Sequence, residues 1–295
     1  MARVRYSAAV TFLPEVERAV DGIRALLASP SIGRIQPHIT LVPPGEATPS
    51  ELDALLFELA GIASTTAPFD LRLGGLGIFP NRRTIGYLRV EDVDGVLVPI
   101  GTALGRGHRD FVPHVTVAEA VPRDLLEQVA RTSEGMRVDA RAERISLLLA
   151  DLRDRRRRWR PLLTFLLGYG GPRVRSGVEC RVAVVEGWEY ALSGRSPASC
   201  VLALSPKGGA LAEGVARRLA GGFFEVARVR VFDPENRGLG LGGMVVSELL
   251  DRLGPARVVA ADSPFARRYL SAEVPRAMST AIGLDPAGSW VMRGR

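Results

Sequence analysis

Two of the chain's three histidines stand in matched surroundings. Gln36-Pro37-His38-Ile39-Thr40-Leu41 and Val112-Pro113-His114-Val115-Thr116-Val117 share the order Pro-His-aliphatic-Thr-aliphatic, 76 residues apart. An imidazole titrates near neutral pH, so one of two can carry a proton while the other accepts one. Such a pair can cleave a phosphodiester as general base and general acid, each role contributing roughly 10²–10⁴ in rate. The Thr40 and Thr116 hydroxyls can then bond the non-bridging phosphate oxygens, where negative charge builds up. Zinc is poorly served, because no Cys, Asp or Glu stands at ligand spacing around either histidine. His108 lies in the polar stretch Gly105-Arg106-Gly107-His108-Arg109-Asp110 and reads as a solvated loop residue.

Elements of alternating character must position these groups. In a strand, successive side chains face opposite ways. His38 and Thr40 therefore share one face with Ile39 and Leu41 turned to the core, and His114 and Thr116 repeat that division over Val115 and Val117. Each preceding proline marks a strand start or edge, where its missing N–H is tolerated. Strands are expected over Tyr6–Leu13, Ile35–Val42, Phe69–Phe79, Thr84–Val90, Phe111–Val117, Arg144–Ala150 and Trp159–Leu167. Helices are expected over Glu15–Leu27, Leu52–Ala63, Asp94–Gly105 and Arg123–Ala130, the second opened by a capping box at Thr48-Pro49-Ser50-Glu51. Strands mixed with helices, several joined by hairpin-like turns, indicate α+β architecture. The paired motif points to two related lobes facing each other across a cleft.

The 295 residues suffice for two domains. The run Gly168-Tyr169-Gly170-Gly171-Pro172 marks a break, giving a first domain at 1–168, a linker at 169–172 and a second domain at 173–295. The net charge is +7, with 22 arginines against 20 acids up to residue 170 and 17 basic residues against 12 acids beyond it. Neither part has the dense basic excess of a duplex-coating protein, which leaves anionic small molecules and nucleic-acid ends as partners. Cys180 and Cys200 make no disulfide framework, so reduced thiols and a cytoplasmic location are expected. No stretch has the apolar length of a membrane span.

Residues 1–168 resemble the two-histidine (2H) phosphoesterase superfamily, specifically its 2′-5′ RNA ligase and RNA cyclic phosphodiesterase branch. The likeness rests on His38-Ile39-Thr40-Leu41 and His114-Val115-Thr116-Val117, on Leu73–Tyr87 as the central hairpin with its Phe-Pro turn, and on Trp159–Gly168 as the closing strand. It implies a bilobal α+β fold with two antiparallel sheets around a central groove and no metal cofactor. His38 and His114 would be the acid/base pair, with Thr40 and Thr116 on the phosphate of an RNA end or nucleotide. The family often carries an aromatic residue where Val42 and Ala118 stand. The turn Arg153-Asp154-Arg155-Arg156-Arg157-Arg158 offers Arg155 and Arg156 to RNA phosphates or is a solvated hairpin tip. Arg82 and Arg83 on the central hairpin carry the same two readings.

In the second domain, a strand over Val229–Asp233 leads through Pro234–Gly243 into a helical stretch, Met244–Leu253. Gly238-x-Gly240-x-x-Gly243 satisfies a dinucleotide fingerprint with Asp262 as ribose acid, but Pro234-Glu235-Asn236-Arg237 separates the strand from the first glycine. The stretch resembles the acetyl-coenzyme-A loop of GNAT acetyltransferases, with Arg237, Gly240 and Gly242 matching and Gly238 and Gly243 alongside. That likeness implies an α/β GNAT-like domain, acetyl-CoA as cofactor and Tyr269 as the acid for the leaving thiolate. Two whole-chain readings follow. One is a phosphodiesterase fused to an acetyltransferase; the other is an RNA-end or nucleotide-binding module that targets the acetyltransferase.

Overall fold

The computed structural model describes residues 4–79, 84–104, 111–150, 155, 157–168, 172–175, 177–187, 198–219, 221, 223–253, 258–261, 282–284 and 290–292. The chain divides into two compact units, one of Met1–Ala54 with Ala67–Pro161, the other of Leu55–Thr66 with Leu162–Arg295. The division falls six residues ahead of the Gly168 break. Its reason is strand pairing, since Thr164, Phe165 and Leu166 pair with Glu186, Val185 and Val184.

The first unit runs β1 (Val4–Thr11), α1 (Pro14–Leu26), β2 (His38–Ala47), the first turns of α2 (Pro49–Thr65), β3 (Phe69–Phe79), β4 (Ile85–Asp92), α3 (Leu97–Leu104), β5 (His114–Glu119), α4 (Arg123–Thr132), β6 (Arg137–Ala142), β7 (Arg144–Ala150) and the start of β8 (Trp159–Leu166). Its antiparallel strands lie in the order β7-β1-β2-β5-β4-β3-β6. The arms β7-β1-β2 and β5-β4-β3-β6 meet through one residue pair among the described residues, Ile39 with Val115. The expected lobes are thus joined at the two histidine motifs.

Local sequence explains these elements. Phe69, Leu71 and Leu73 are buried between exposed Asp70 and Arg72, the period-2 pattern of a half-buried strand. Val16, Val20, Ile23 and Leu27 form the buried stripe of α1. Thr48 N–H donates to Glu51 Oε2 at 2.7 Å while Glu51 N–H donates to Thr48 Oγ1 at 3.4 Å, which closes the capping box of α2. β2 and β5 begin three residues later than apolar content suggests, each at its histidine. Proline has no N–H to give a ladder, and the Gln36 and Val112 carbonyls are taken by imidazoles.

In the second unit, β8 pairs with β10 (Val178–Glu186), which also pairs with β9 (Pro172–Arg175), and β11 (Ala198–Leu204), β12 (Ala210–Arg218) and β13 (Phe224–Val231) follow antiparallel. α5 (Leu241–Leu253) then leads to β14 (Val258–Ala261), parallel to β13. Val245, Val246, Leu249 and Leu250 of α5 pack on Val201, Ala212, Ala216 and Val226. Gly214 admits the helix, since a Cβ there would lie 2.9 Å from Leu249 Cδ1. Cys180 and Cys200 are both free and buried, and burial raises both thiols above their usual range. Among the described residues no helix is long and apolar enough to cross a membrane.

Candidate active site

Antiparallel pairing of Ile39 with Val115 sets His38 opposite Thr116 and Thr40 opposite His114. Ile39, Leu41, Val115 and Val117 are at most 1% exposed, so the intervening polar side chains share the other face. The two histidines are then diagonal neighbours, about 7–8 Å apart in a regular ladder. Each motif is fixed on its far side too, with His38 paired to Thr11, Thr40 to Ala9, His114 to Arg89 and Thr116 to Tyr87.

Both rings are held the same way. His38 Nδ1 lies 2.8 Å from Gln36 O, and His114 Nδ1 lies 2.8 Å from Val112 O. A carbonyl can only accept, so each Nδ1 carries the hydrogen and each Nε2 is left for chemistry. In the neutral ring Nε2 is a base, and in the imidazolium it is an acid. Enclosure by protein pushes His38 down to about 4, against the support of its Gln36 bond, and the positive fields of Arg24 and His114 add to the depression. His38 is therefore neutral at pH 7. His114 rests edge-on against Phe79 at 4.9 Å and Tyr87 at 5.6 Å, and those two rings stack at 4.1 Å.

A cavity of about 580 Å³ opens over His38, Thr40 and Thr116. Among the described residues, Arg5, Arg24, Arg34 and Arg157 line it together with Glu119, which pairs with Arg34 at 3.5 Å. Arg24 is 1% exposed and ties the site together. Its Nη1 donates to Asp21 Oδ1 at 3.0 Å and to Ile35 O at 2.8 Å, and its Nη2 donates to Thr116 O at 3.1 Å. Sequence reading passed over Arg24, although its place between Val20 and Leu27 on the apolar stripe of α1 marks it as a buried charge. It also passed over the Phe79–Tyr87 stack, which supplies an aromatic surface where Val42 and Ala118 supply none.

Of the arginines singled out in the sequence, Arg155 is exposed and does not line the cavity; Arg157, two residues on, does. Arg82, Arg83, Arg156 and His108 lie outside the described residues, as do Asp262 and Tyr269. Among the described residues no three His, Cys, Asp or Glu side chains gather into a metal-holding group. In the second unit, Asp233 accepts from Glu235 N–H at 3.0 Å at the head of the glycine turn. Gly238 and Gly240 take φ of 84° and 79°, and Gly242 and Gly243 are buried in the first turn of α5.

The sequence profile of the 2′-5′ RNA ligase superfamily matches residues 12–164, more than half of the chain, and contains both motifs. The chain belongs to that superfamily. A Bacillus cereus (strain B4264) protein, provisionally named a phosphoesterase, is 33% identical over 111 residues, which cover 36% of this chain and 64% of the relative. The match thus spans under two thirds of the length of such curated relatives. Among solved structures, TT0787 of Thermus thermophilus is 23% identical, with a TM-score of 0.42 over 55% of this chain and 97% of that one. LigT of E. coli is 19% identical, with a TM-score of 0.43 over 57% of this chain and 99% of its own. The superfamily match stops at residue 164, so the glycine turn before α5 falls outside it.

Proposed function

We propose that this superfamily member is a metal-independent phosphodiesterase acting on RNA ends or nucleotides, at a 2′,3′-cyclic phosphate or a 2′-5′ linkage. The observation that carries the reading is the diagonal placement of two imidazoles, each with Nδ1 committed to a carbonyl and Nε2 open. Neutral His38 takes the proton of the attacking water as its oxygen bonds to phosphorus. The bond from phosphorus to the ribose oxygen breaks, and that oxygen receives the proton of His114 Nε2. Thr40 and Thr116, each opposite the other motif's histidine, bond the non-bridging oxygens between them. Exchange of protons with solvent then restores both rings. With a 5′-hydroxyl in place of the water, the same groups would open a 2′,3′-cyclic phosphate to a 2′-5′ linkage, His38 taking the hydroxyl proton and His114 protonating the departing 3′ oxygen. The Phe79–Tyr87 stack beside His114 offers a surface for the base of the leaving or retained nucleoside.

A panel of nucleoside 2′,3′-cyclic phosphates and 2′-5′-linked dinucleotides, assayed with and without EDTA, tests this reading. Turnover unaffected by the chelator is expected; loss on chelation contradicts it. Saturable binding with no product over hours would favour the binding-module reading instead.

For the second unit we infer acetyl-CoA binding at Arg237–Gly243. The supporting observation is a positive-φ glycine turn entering α5 between the parallel strands β13 and β14. Free N–H groups at such a helix start suit a pyrophosphate. Acetyl transfer through Tyr269 extends that reading.

A further inference from the structure

We propose that the second unit binds a small aliphatic amino acid in a cavity between the later turns of α2 and the β11–β12 turn. α2 enters this unit at Leu55, and every described residue lining the cavity belongs to it. The space measures about 300 Å³, at the lower end of the range for small-molecule sites. It shares no lining residue with the histidine cavity and none with the glycine turn, so it stands apart from both readings above.

Its two walls differ in hydrogen-bonding character. Donors stand on the sheet side. Arg181 of β10 is level with Leu204 of β11, and Lys207 sits in the turn that follows. That turn is fixed by Ser205 N–H donating to Gly209 O at 2.7 Å and Gly208 N–H donating to Ser205 O at 2.8 Å. Ser205 Oγ accepts from Gly209 N–H at 3.0 Å, which leaves its own O–H to donate. Among the described residues neither Arg181 nor Lys207 has a hydrogen-bond or ion-pair partner. Acceptors stand on the helix side. Ser64 Oγ donates to Gly61 O at 2.7 Å, and Thr65 Oγ1 donates to Gly61 O at 3.2 Å and Ile62 O at 3.1 Å. With those hydrogens committed, the two hydroxyl oxygens have only lone pairs to offer a ligand. Glu58 adds a carboxylate, and α2 ends at Thr65, where the helix dipole favours positive charge. Phe57, Ile62, Leu204 and Pro206 supply apolar surface. An aliphatic amino acid answers each feature: a carboxylate for Arg181 and Lys207, an ammonium for Glu58 and the hydroxyl oxygens, and an apolar body.

Gly61 points to a ligand independently. It lies in the interior of α2, where glycine costs stability relative to alanine. Packing does not call for it. Whereas a Cβ at Gly214 would strike α5, a Cβ at Gly61 would meet no atom of another segment within 4 Å, because the space beside it is the cavity. Bare backbone at that position lets a bound molecule approach the helix closely.

The test is calorimetry on the full chain with L-leucine, with 4-methylpentanoate, which lacks only the ammonium, and with 3-methylbutylamine, which lacks only the carboxylate. Saturable binding of L-leucine is expected, about tenfold or more tighter than either analogue, as charge-assisted bonds at each end would give. In Arg181→Gln/Lys207→Gln the amino acid should lose its advantage over the amine. Gly61→Leu fills the space and should abolish binding, while the melting temperature holds or rises because leucine is the better helix former. No saturable binding of L-leucine at millimolar concentration, equal affinity for either analogue, or wild-type affinity in Gly61→Leu would overturn the proposal. Should Gly61→Leu fail to fold, the double variant decides, and an undiminished preference for L-leucine over the amine there would overturn it.

Discussion

At the scale of single residues, the proposed chemistry rests on His38 and Arg24. His38 falls to about 4 mainly through burial, with Arg24 next among the groups that lower it. The acid limb of kcat/KM should therefore lie near pH 4, well below that of a free imidazole. Arg24→Met removes the positive field but leaves the burial, so the limb should move upwards by only part of the depression; Arg24→Lys should hold it lower. A limb that stays put in Arg24→Met would show that burial alone sets the value. The same depression links folding to pH. The folded state holds His38 neutral where the unfolded chain, near 6.5, takes up a proton, so its contribution to stability is intact above about 6.5 and is lost as pH falls towards 4. The two histidines and two threonines were legible because their motif occurs twice. Arg24 was missed, since its one sign is its place between Val20 and Leu27 on the apolar stripe of α1.

Strands β2 and β5 turn the two motifs into one site, and the strands β3 and β4 steady it. Gly77 pairs with Tyr87, and a Cβ at Gly77 would come 2.5 Å from Tyr87 Cζ. Glycine there lets the tyrosine ring lie against the strand, stack on Phe79 and meet the edge of His114. Gly77→Ala should push that ring aside and lower kcat by about tenfold while the melting temperature changes little, because the ring can swing clear of the backbone. A variant with wild-type kcat would mean that the aromatic wall does not orient His114. Most elements were legible from alternation and capping, and β3 and β7 run as expected to the residue. β6 was missed because Arg137, Asp139 and Arg141 dilute its short apolar alternation. Its place is set by pairing with β3, where Asp139 meets Arg72 and Arg141 meets Asp70. Such contacts join residues about seventy positions apart and leave no local trace.

The whole molecule carries two compact units, and the superfamily match takes in most of the first with Leu55–Thr66 of the second, stopping at residue 164. The second unit's order, antiparallel strands β8 to β13, a glycine turn, a helix and a parallel strand, was only partly legible, because β10 to β12 offer apolar runs without chemistry. If the turn cradles acetyl-CoA, Gly240→Val in the full chain should abolish its binding by calorimetry, since a branched side chain at φ 79° disturbs the backbone that must approach the ligand. Binding that survives the substitution, or a wild type that binds none at millimolar ligand, would make the turn structural. The central claim is the division of labour between His38 as base and His114 as acid. It is tested most directly by comparing a 2′,3′-cyclic phosphate, whose ribose oxygen needs a proton to leave, with a p-nitrophenyl phosphodiester, whose phenolate does not. His114→Ala should lose roughly 10²–10⁴ in kcat on the cyclic phosphate and little on the aryl ester, while His38→Ala should lose a similar factor on both. Rescue of His38→Ala by the aryl ester, with none for His114→Ala, would contradict the account.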